Sequence, residues 1–427
     1  MRLSTTVGVR FRRPRRPADG RRTGLVCDRR AAVTERRSTV ATPYGVSEVF
    51  WVRLGRVGDQ ASSSSTSPPP PVVRIVCLPG NPGCGGYYIE FAALLLHALA
   101  ARGAAAPGSA AALASLAGHA ASADLARAGK QPDGLDALAH QERHLAASLP
   151  QLLSDIGVVP LFDDDYPPST SRPEAVLLLG HSIGARIALA SLALTQQWRE
   201  GERDGGVARV SVDAVGLMMP FLASTHASAE QTTVRRATGR PRIFALMGRL
   251  LSWLPRWLSR LWLVRLLRHT PRSADTTHGL LAAGQAGASA RLACAEFADL
   301  DEAPDWTGWS QACGTADVFA LSVPVDGWRA GVSVVGSVRA QALSLREPRP
   351  RPQFPVPPFP PLPRDTAEQR ARMDAANFPT GGRVVVPHAS HGFCVRTEET
   401  QVVADAIAER VAACLIAAAA AARRVAS

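Results

Sequence analysis

The pentapeptide Gly180-His181-Ser182-Ile183-Gly184 leaves the chain around it little choice of local structure. It follows a dry run, Ala175-Val176-Leu177-Leu178-Leu179, and precedes an amphipathic one, Ala185-Arg186-Ile187-Ala188-Leu189-Ala190. The first reads as a buried strand and the second as a helix, so the serine sits on the turn between them. Such a turn is tight enough that the residues two places to either side must be very small, and both are glycine. A serine hydroxyl is a poor nucleophile until a base reaches it, and an exposed elbow presents it to one. The first turn of the helix also offers an unpaired backbone N–H and a positive dipole to an oxygen that becomes charged.

With these flanks the elbow points to an α/β-hydrolase: a mostly parallel sheet, helices on both faces and a helical lid insertion. The rest of the chain follows that pattern. Gly45–Val52 alternates like an edge strand, Val72–Leu78 reads as a buried strand, and a helix is expected from about Tyr87 to Ala101. Residues 111–117 are compatible with a strand and Asp136–Leu153 with a helix. Strands follow at Val212–Met218, Val318–Val323 and Val384–Val386, with a closing alanine-rich helix from Glu398 to Arg424. Strands alternating with helices indicate a parallel sheet covered on both faces. Residues 42–427 are therefore expected to form the hydrolase domain, with an insertion over 220–315 and a proline-rich loop over 347–363.

The net charge of +12 suggests nucleic acid until its distribution is seen. Residues 1–41 carry twelve arginines against Asp19, Asp28 and Glu35, so nine of the twelve excess charges lie there and three in the remainder. That balance, with no basic stripe interleaved with aromatics, argues against a nucleic-acid partner. Residues 1–41 are expected to be a disordered basic leader or an organellar transit-like extension. The seven cysteines are scattered without a Cys-x-x-Cys pair, which favours reduced thiols over a disulfide framework.

A nucleophile elbow demands an acid and a histidine later in the chain, in that order, each after a strand. Val318–Val323 leads into Asp326-Gly327-Trp328, and Val384–Val386 leads into His388-Ala389-Ser390-His391-Gly392-Phe393. The expected triad is Ser182, Asp326 and His391, with His388 as a competing base and Asp299, Asp301 and Asp317 as competing acids. His391 would take the serine proton and return it to the leaving alcohol, while Asp326 holds the imidazole tautomer. Two oxyanion donors are expected, the N–H of Ile183 and that of Asn81 in Pro79-Gly80-Asn81-Pro82-Gly83, where Pro82 has no N–H to give. Such a site needs neither metal nor organic cofactor. His140 and His144 stand one helical turn apart, but Gln141 occupies the place where a zincin carries its glutamate, and no third ligand cluster follows.

These residues together resemble the lipid-droplet-associated hydrolase family. That family pairs a Leu/Ile-Pro-Gly-Asn-Pro-Gly loop, followed by Tyr and Phe, with a Gly-His-Ser-Ile-Gly elbow. This chain has Leu78–Gly83, Tyr87, Tyr88, Phe91 and Gly180–Gly184, with further similarity at Ala117-Gly118-His119, Gln141, His144, Asp326-Gly327-Trp328 and His391-Gly392-Phe393-Cys394. It departs at Arg186, where the family commonly has an aromatic, and at Arg329-Ala330. The resemblance implies a serine esterase or lipase acting on acylglycerol or sterol esters at a lipid droplet or the endoplasmic reticulum. A droplet-binding scaffold with little or no turnover is the alternative, and acyl transfer to an alcohol would use the same residues.

Residues 243–268 hold three of the eight tryptophans, Trp253, Trp257 and Trp262, with arginine at 249, 256, 260, 265 and 268. A membrane span of about 20 residues would be nearly uncharged, and this segment is not. Pro255 divides it into two short helices. Tryptophan at a boundary and arginine able to snorkel suit a helix lying in a lipid interface, so Trp253, Trp257 and Trp262 are expected to touch a lipid surface. A lid helix packed on the core with its arginines in water is the other reading.

Overall fold

The computed structural model describes residues 33–55, 70–120, 137–158, 174–201, 212–222, 229–265, 267–300, 306–313, 316–322, 383–387 and 389–426. Eight strands form one sheet in the order β1-β2-β4-β3-β5-β6-β7-β8: β1 Val33–Thr42, β2 Gly45–Leu54, β3 Val72–Leu78, β4 Ala110–Ala114, β5 Glu174–His181, β6 Ala214–Met218, β7 Asp317–Ser322 and β8 Arg383–Val385. Strands β4-β3-β5-β6-β7-β8 run parallel, while β1 and β2 are antiparallel. This is the α/β-hydrolase sheet expected from the alternation of strands and helices.

The parallel strands are dry on both faces because helices cover both. One face packs α1 (Ile89–Ala101) and the long closing helix Thr397–Ala426, burying Phe91, Leu95, Leu99, Val403, Ile407 and Val411. The other face packs α2 (Leu138–Val158) and α3 (Ile183–Gly201), burying Leu145, Leu149, Leu152, Ile187 and Leu189. Gly216 in β6 has no room for a side chain: a Cβ there would lie 2.6 Å from Leu179 and 2.7 Å from Phe319.

The expected boundary at residue 41 is corrected at its end. From Val33 onward the supposed leader is strand β1, paired with β2 from Val33 opposite Leu54 to Thr42 opposite Gly45. Its charges are paired outside the strand: Arg37 pairs with the buried Glu48 of β2, and Glu35 pairs with Arg272, distant in sequence. The alternation of Ser38, Val40 and Thr42 with exposed Arg37, Thr39 and Ala41 is masked by that charge. Residues 1–32 lie outside the described residues.

Helices fill the insertion between β6 and β7, as expected: α4 Ala229–Thr238, α5 Pro241–Ser252, α6 Arg256–Arg265, α7 Pro271–Ala282, α8 Ala286–Asp299 and α9 Trp306–Cys313. The closing helix, Thr397–Ala426, is α10. The break at Pro255 separates α5 from α6, because proline tolerates the first turn of a helix but not its interior. Helix α5 crosses α8 on small residues: a Cβ on Gly248 would lie 2.5 Å from that of Ala286, and one on Gly287 would lie 2.9 Å from that of Ala245. That close approach seats the narrow side of α5 and leaves its bulky side chains outside. Ile243, Leu246, Met247, Leu250, Trp253, Trp257, Leu258, Leu261 and Trp262 are all exposed, Trp253 by 72% and Trp257 by 68%. Most of the segment's apolar side chains therefore face outward, while Gly248 of α5 and Ser259 and Leu263 of α6 are the buried contacts. Among the described residues no helix is long and apolar enough to cross a membrane.

Candidate active site

Strand β5 ends at His181 and α3 begins at Ile183, so Ser182 alone makes the turn. Its φ is +53°, a conformation that costs an L-residue energy and persists only where the surroundings enforce it. They do so through backbone. Ser182 N–H donates to Met218 C=O at 2.9 Å, and Ser182 C=O accepts from Ala185 and Phe221, each at 3.1 Å. The flanking glycines are sterically required. A Cβ on Gly180 would lie 2.4 Å from Gly184 O, and one on Gly184 would lie 2.5 Å from Pro79 O and 2.7 Å from Leu78 O. Because backbone cannot swing aside as a side chain can, Gly184→Ala is expected to force α3 away from the end of β3. We expect a loss of about 1–3 kcal/mol in thermal unfolding and a loss of reactivity at Ser182 of a hundredfold or more.

Strand β8 delivers His391 to the same sheet edge. His391 Nε2 lies 2.9 Å from Ser182 Oγ, hydrogen-bond distance for a base taking the hydroxyl proton. The loop that carries it is tied at two points. Glu399, in the first turn of α10, accepts from Ser390 N–H at 2.8 Å and from the Ser390 hydroxyl. Burial pushes the Glu399 carboxyl up, but hydrogen bonds from Ser390 and the Arg396 guanidinium outweigh it and hold the group below the usual carboxylate range. On the other side, His391 C=O is 2.9 Å from His181 Nε2.

Asp326 and the competing base His388 lie outside the described residues, as does Asp301. Strand β7, expected to carry the acid, ends at Ser322, which accepts from Val386 N–H at 2.8 Å on the loop leading to His391. Asp317 opens β7 at the opposite edge of the sheet, where it pairs with Arg410 at 2.8 Å. It cannot reach His391 from there. Asp299 closes α8 and its carbonyl accepts from Arg186 at 3.2 Å. Arg186, where the sequence departs from the family pattern, also approaches Glu142 to 3.4 Å and so ties α3 to α2.

The Pro79–Gly83 loop runs over the serine: a Cβ on Gly80 would lie 2.8 Å from that of Ser182. Ile183 is the first residue of α3, so its N–H has no carbonyl one turn back within the helix and is free in geometry to meet an oxyanion. Asn81 turns its side chain toward the insertion, where Nδ2 donates to Ser289 C=O at 3.0 Å and approaches Glu296 Oε1 at 3.3 Å. Its side-chain amide is thereby engaged, and its backbone N–H is the group left to serve as donor. Glu296 is buried, and that burial pushes its carboxyl up to about 8 against the lowering pull of Asn81.

The supporting roles of several motif residues emerge only from the structure. His119 Nδ1 lies 2.8 Å from Pro82 C=O, propping the loop from below, and Gln141 clamps Ala117 through its N–H at 2.8 Å and its C=O at 3.0 Å. His144 places Nδ1 2.7 Å from Thr42 Oγ1 and Nε2 2.7 Å from Ser47 Oγ, so both nitrogens serve the β1–β2 hairpin. Burial, then the neighbouring His140, lower its pKa to about 4. No cluster of potential metal ligands occurs among the described residues. The family motif residues Ala117, Gln141 and His144 were visible signals, but their partners lie far away in sequence.

Comparison with known proteins adds identity to this geometry. The model of the lipid-droplet associated hydrolase family matches residues 71–339, more than half of the chain. No curated protein sequence matches. Among solved structures the chain is similar to the peroxisomal α/β-hydrolase Lpx1 of Saccharomyces cerevisiae, with 11% identity, 90% of each chain covered and a TM-score of 0.47. It is also similar to a thermophilic esterase of Thermogutta terrifontis, with 17% identity, 88% of this chain and 97% of that one covered and a TM-score of 0.40. Elbow, loop, sheet and family match agree: the chain belongs to the lipid-droplet associated hydrolases and is a hydrolase of the α/β fold.

Proposed function

We propose that this chain is a serine ester hydrolase that cleaves neutral-lipid esters, acylglycerol or sterol, at the surface of a lipid droplet. The observation that carries the reading is the 2.9 Å approach of His391 Nε2 to the hydroxyl of Ser182 on its enforced elbow. In this reading Ser182 Oγ attacks the ester carbonyl as its proton passes to His391 Nε2. The oxyanion forms against the N–H groups of Ile183 and Asn81. His391 then gives the proton to the departing alcohol, leaving an acyl-serine. Water, deprotonated by His391, releases the fatty acid and restores Ser182. Asp326 is the acid proposed to hold the His391 tautomer.

The lipid setting is supported by the outward face of α5 and α6. Its apolar side chains are contiguous with Arg249, Arg256, Arg260 and Arg265, long enough to place their charge among headgroups while their stems stay in the apolar layer. Such a face left in water is a liability unless something covers it, and a phospholipid-coated oil surface suits both its aromatic and its cationic parts.

The test is fatty-acid release from phospholipid-coated emulsions of triacylglycerol and of cholesteryl ester, wild type against Ser182→Ala. Release by the wild type alone supports the reading. No release by a well-folded wild type that floats with the emulsion, together with no fluorophosphonate labelling, would leave a droplet-binding scaffold. A separate prediction concerns the surface. Half-burying a tryptophan of about 200 Å² contributes about 2 kcal/mol. The combined Trp253→Ser, Trp257→Ser and Trp262→Ser variant is therefore expected to partition onto the emulsion at least a hundredfold less, measured by flotation, with an unchanged unfolding midpoint. Undiminished flotation would refute this assignment of the lipid-facing residues.

A further inference from the structure

The residue preceding the nucleophile, His181, is fully enclosed, and its two ring nitrogens join parts of the site that the fold brings from opposite ends of the chain. Its Nε2 faces the carbonyl of His391 at 2.9 Å, and its Nδ1 faces the hydroxyl of Tyr88 at 2.6 Å. Tyr88 in turn stands 3.1 Å from the backbone N–H of Gly80, on the loop over the serine. The rings are locked by packing: Phe393 meets His181 edge-on at 5.2 Å and Phe91 at 5.4 Å, and His391 lies 5.0 Å from His181.

Elementary hydrogen-bond chemistry assigns every proton in this chain. A carbonyl oxygen can only accept, so His181 Nε2 carries a hydrogen and donates it to His391 C=O. Burial first, then the proximity of His391, push the His181 pKa well below the usual imidazole range, so the ring is neutral and Nδ1 is bare. Nδ1 must then accept, and its partner is the Tyr88 O–H, a phenol that burial keeps protonated by pushing its pKa well above the ordinary value. Tyr88 oxygen accepts from Gly80 N–H. The result is a one-way chain from Gly80 N–H to Tyr88, from Tyr88 O–H to His181, and from His181 N–H to His391 C=O, in which each bond polarises the next.

We propose that Tyr88 and His181 are positioning residues of the hydrolase: together they fix the distance between the oxyanion loop and the loop that carries the base. Resting on the reading of Ser182 and His391 as the reacting pair, this assigns a purpose to the histidine of the Gly-His-Ser-Ile-Gly elbow that neither nucleophile nor base supplies. Neither residue touches the reacting atoms. Each sets where a reacting group stands, and the chain ends on the main chain of His391 and not on its ring. Positioning of this kind is felt in the transition state more than in substrate binding, because a misplacement of the base of about 1 Å can cost a hundredfold in rate.

The test uses the full-length protein, hydrolysis of p-nitrophenyl butyrate and the second-order rate of fluorophosphonate labelling. Tyr88→Phe keeps the ring and removes the hydroxyl. It is expected to lower kcat and the labelling rate by about 10- to 100-fold while KM moves less than about threefold. His181→Leu is expected to lose at least as much, whereas His181→Gln, whose amide N–H can still reach the His391 carbonyl, is expected to recover to within about tenfold of wild type. A purely structural role would lower the unfolding midpoint of all three without this order of rates. Wild-type kcat and labelling in folded Tyr88→Phe and His181→Leu would overturn the positioning role, as would equal loss in His181→Gln and His181→Leu at matched stability. Ser182→Ala, run in parallel, separates the two claims: if it keeps full activity, the underlying reading of the site has failed and not merely the positioning chain.

Discussion

Replacing His391 by alanine is expected to lower ester hydrolysis by about four to six orders of magnitude, the scale seen when either member of a serine–histidine pair is removed from a hydrolase. Ser182→Ala should match it, and the double variant should be scarcely worse than either alone, because the two groups act as one unit. The expectation rests on Nε2 standing 2.9 Å from the serine oxygen, on a loop held by Glu399 at Ser390 and by His181 at the His391 carbonyl. His388→Ala, three residues earlier, is expected to stay within about tenfold of wild type, since that hydrogen-bonding place on Ser182 is taken. Fluorophosphonate labelling at fixed pH reads the same difference without a lipid substrate. Loss of labelling in His388→Ala but not in His391→Ala would exchange the two roles.

The Ser182–His391 pair could be read along the chain because each member is announced locally. Glycines two places either side of Ser182 are needed by the turn itself, and His391 follows a short run of valines that must be a strand. The same is true of the break at Pro255. Strand β1 was hidden because its arginines resemble those of the preceding thirty-odd residues, and its charges are paired outside the strand: Arg37 meets Glu48 of β2, and its own acid Glu35 meets Arg272, far along the chain. The orientation of α5 was equally hidden. Its apolar residues could have faced the core, and only the close crossing of Gly248 on Ala286 shows that they cannot. Tyr88 and His181 stood in plain view as family motif residues, yet their hydrogen bond spans 93 positions, a distance at which periodicity says nothing. What can be read from sequence is therefore chemistry carried by neighbours in the chain. What cannot is chemistry assembled by the sheet.

Glu296 is the clearest case of the second kind, and it predicts a stability that falls as pH rises. It looks like an ordinary acid in an amphipathic helix, but it is only 4% exposed, beside the Asn81 amide at 3.3 Å. Burial raises its folded-state pKa to about 8 from an ordinary 4.5, with the Asn81 hydrogen bond pulling weakly the other way. Between those two values the unfolded chain has released this proton while the folded chain keeps it, so the unfolded state binds fewer protons. Unfolding stability must then decrease with pH through that window, by about 1.4 kcal/mol per unit at most, and level off above about pH 8. Glu296→Gln keeps the shape and an acceptor for Asn81 but cannot ionise. It is expected to match wild type near pH 4.5 and to exceed it by several kcal/mol at pH 8, a widening gap in the unfolding midpoints. Because Asn81 lies on the loop over Ser182, the activity ratio of the two proteins should also change most near pH 8, where ionisation of Glu296 begins to pull on that amide. Unfolding curves for the two proteins that stay parallel from pH 5 to 9 would show that Glu296 is not held neutral, and that the contact between the insertion and the oxyanion loop carries no charge to release.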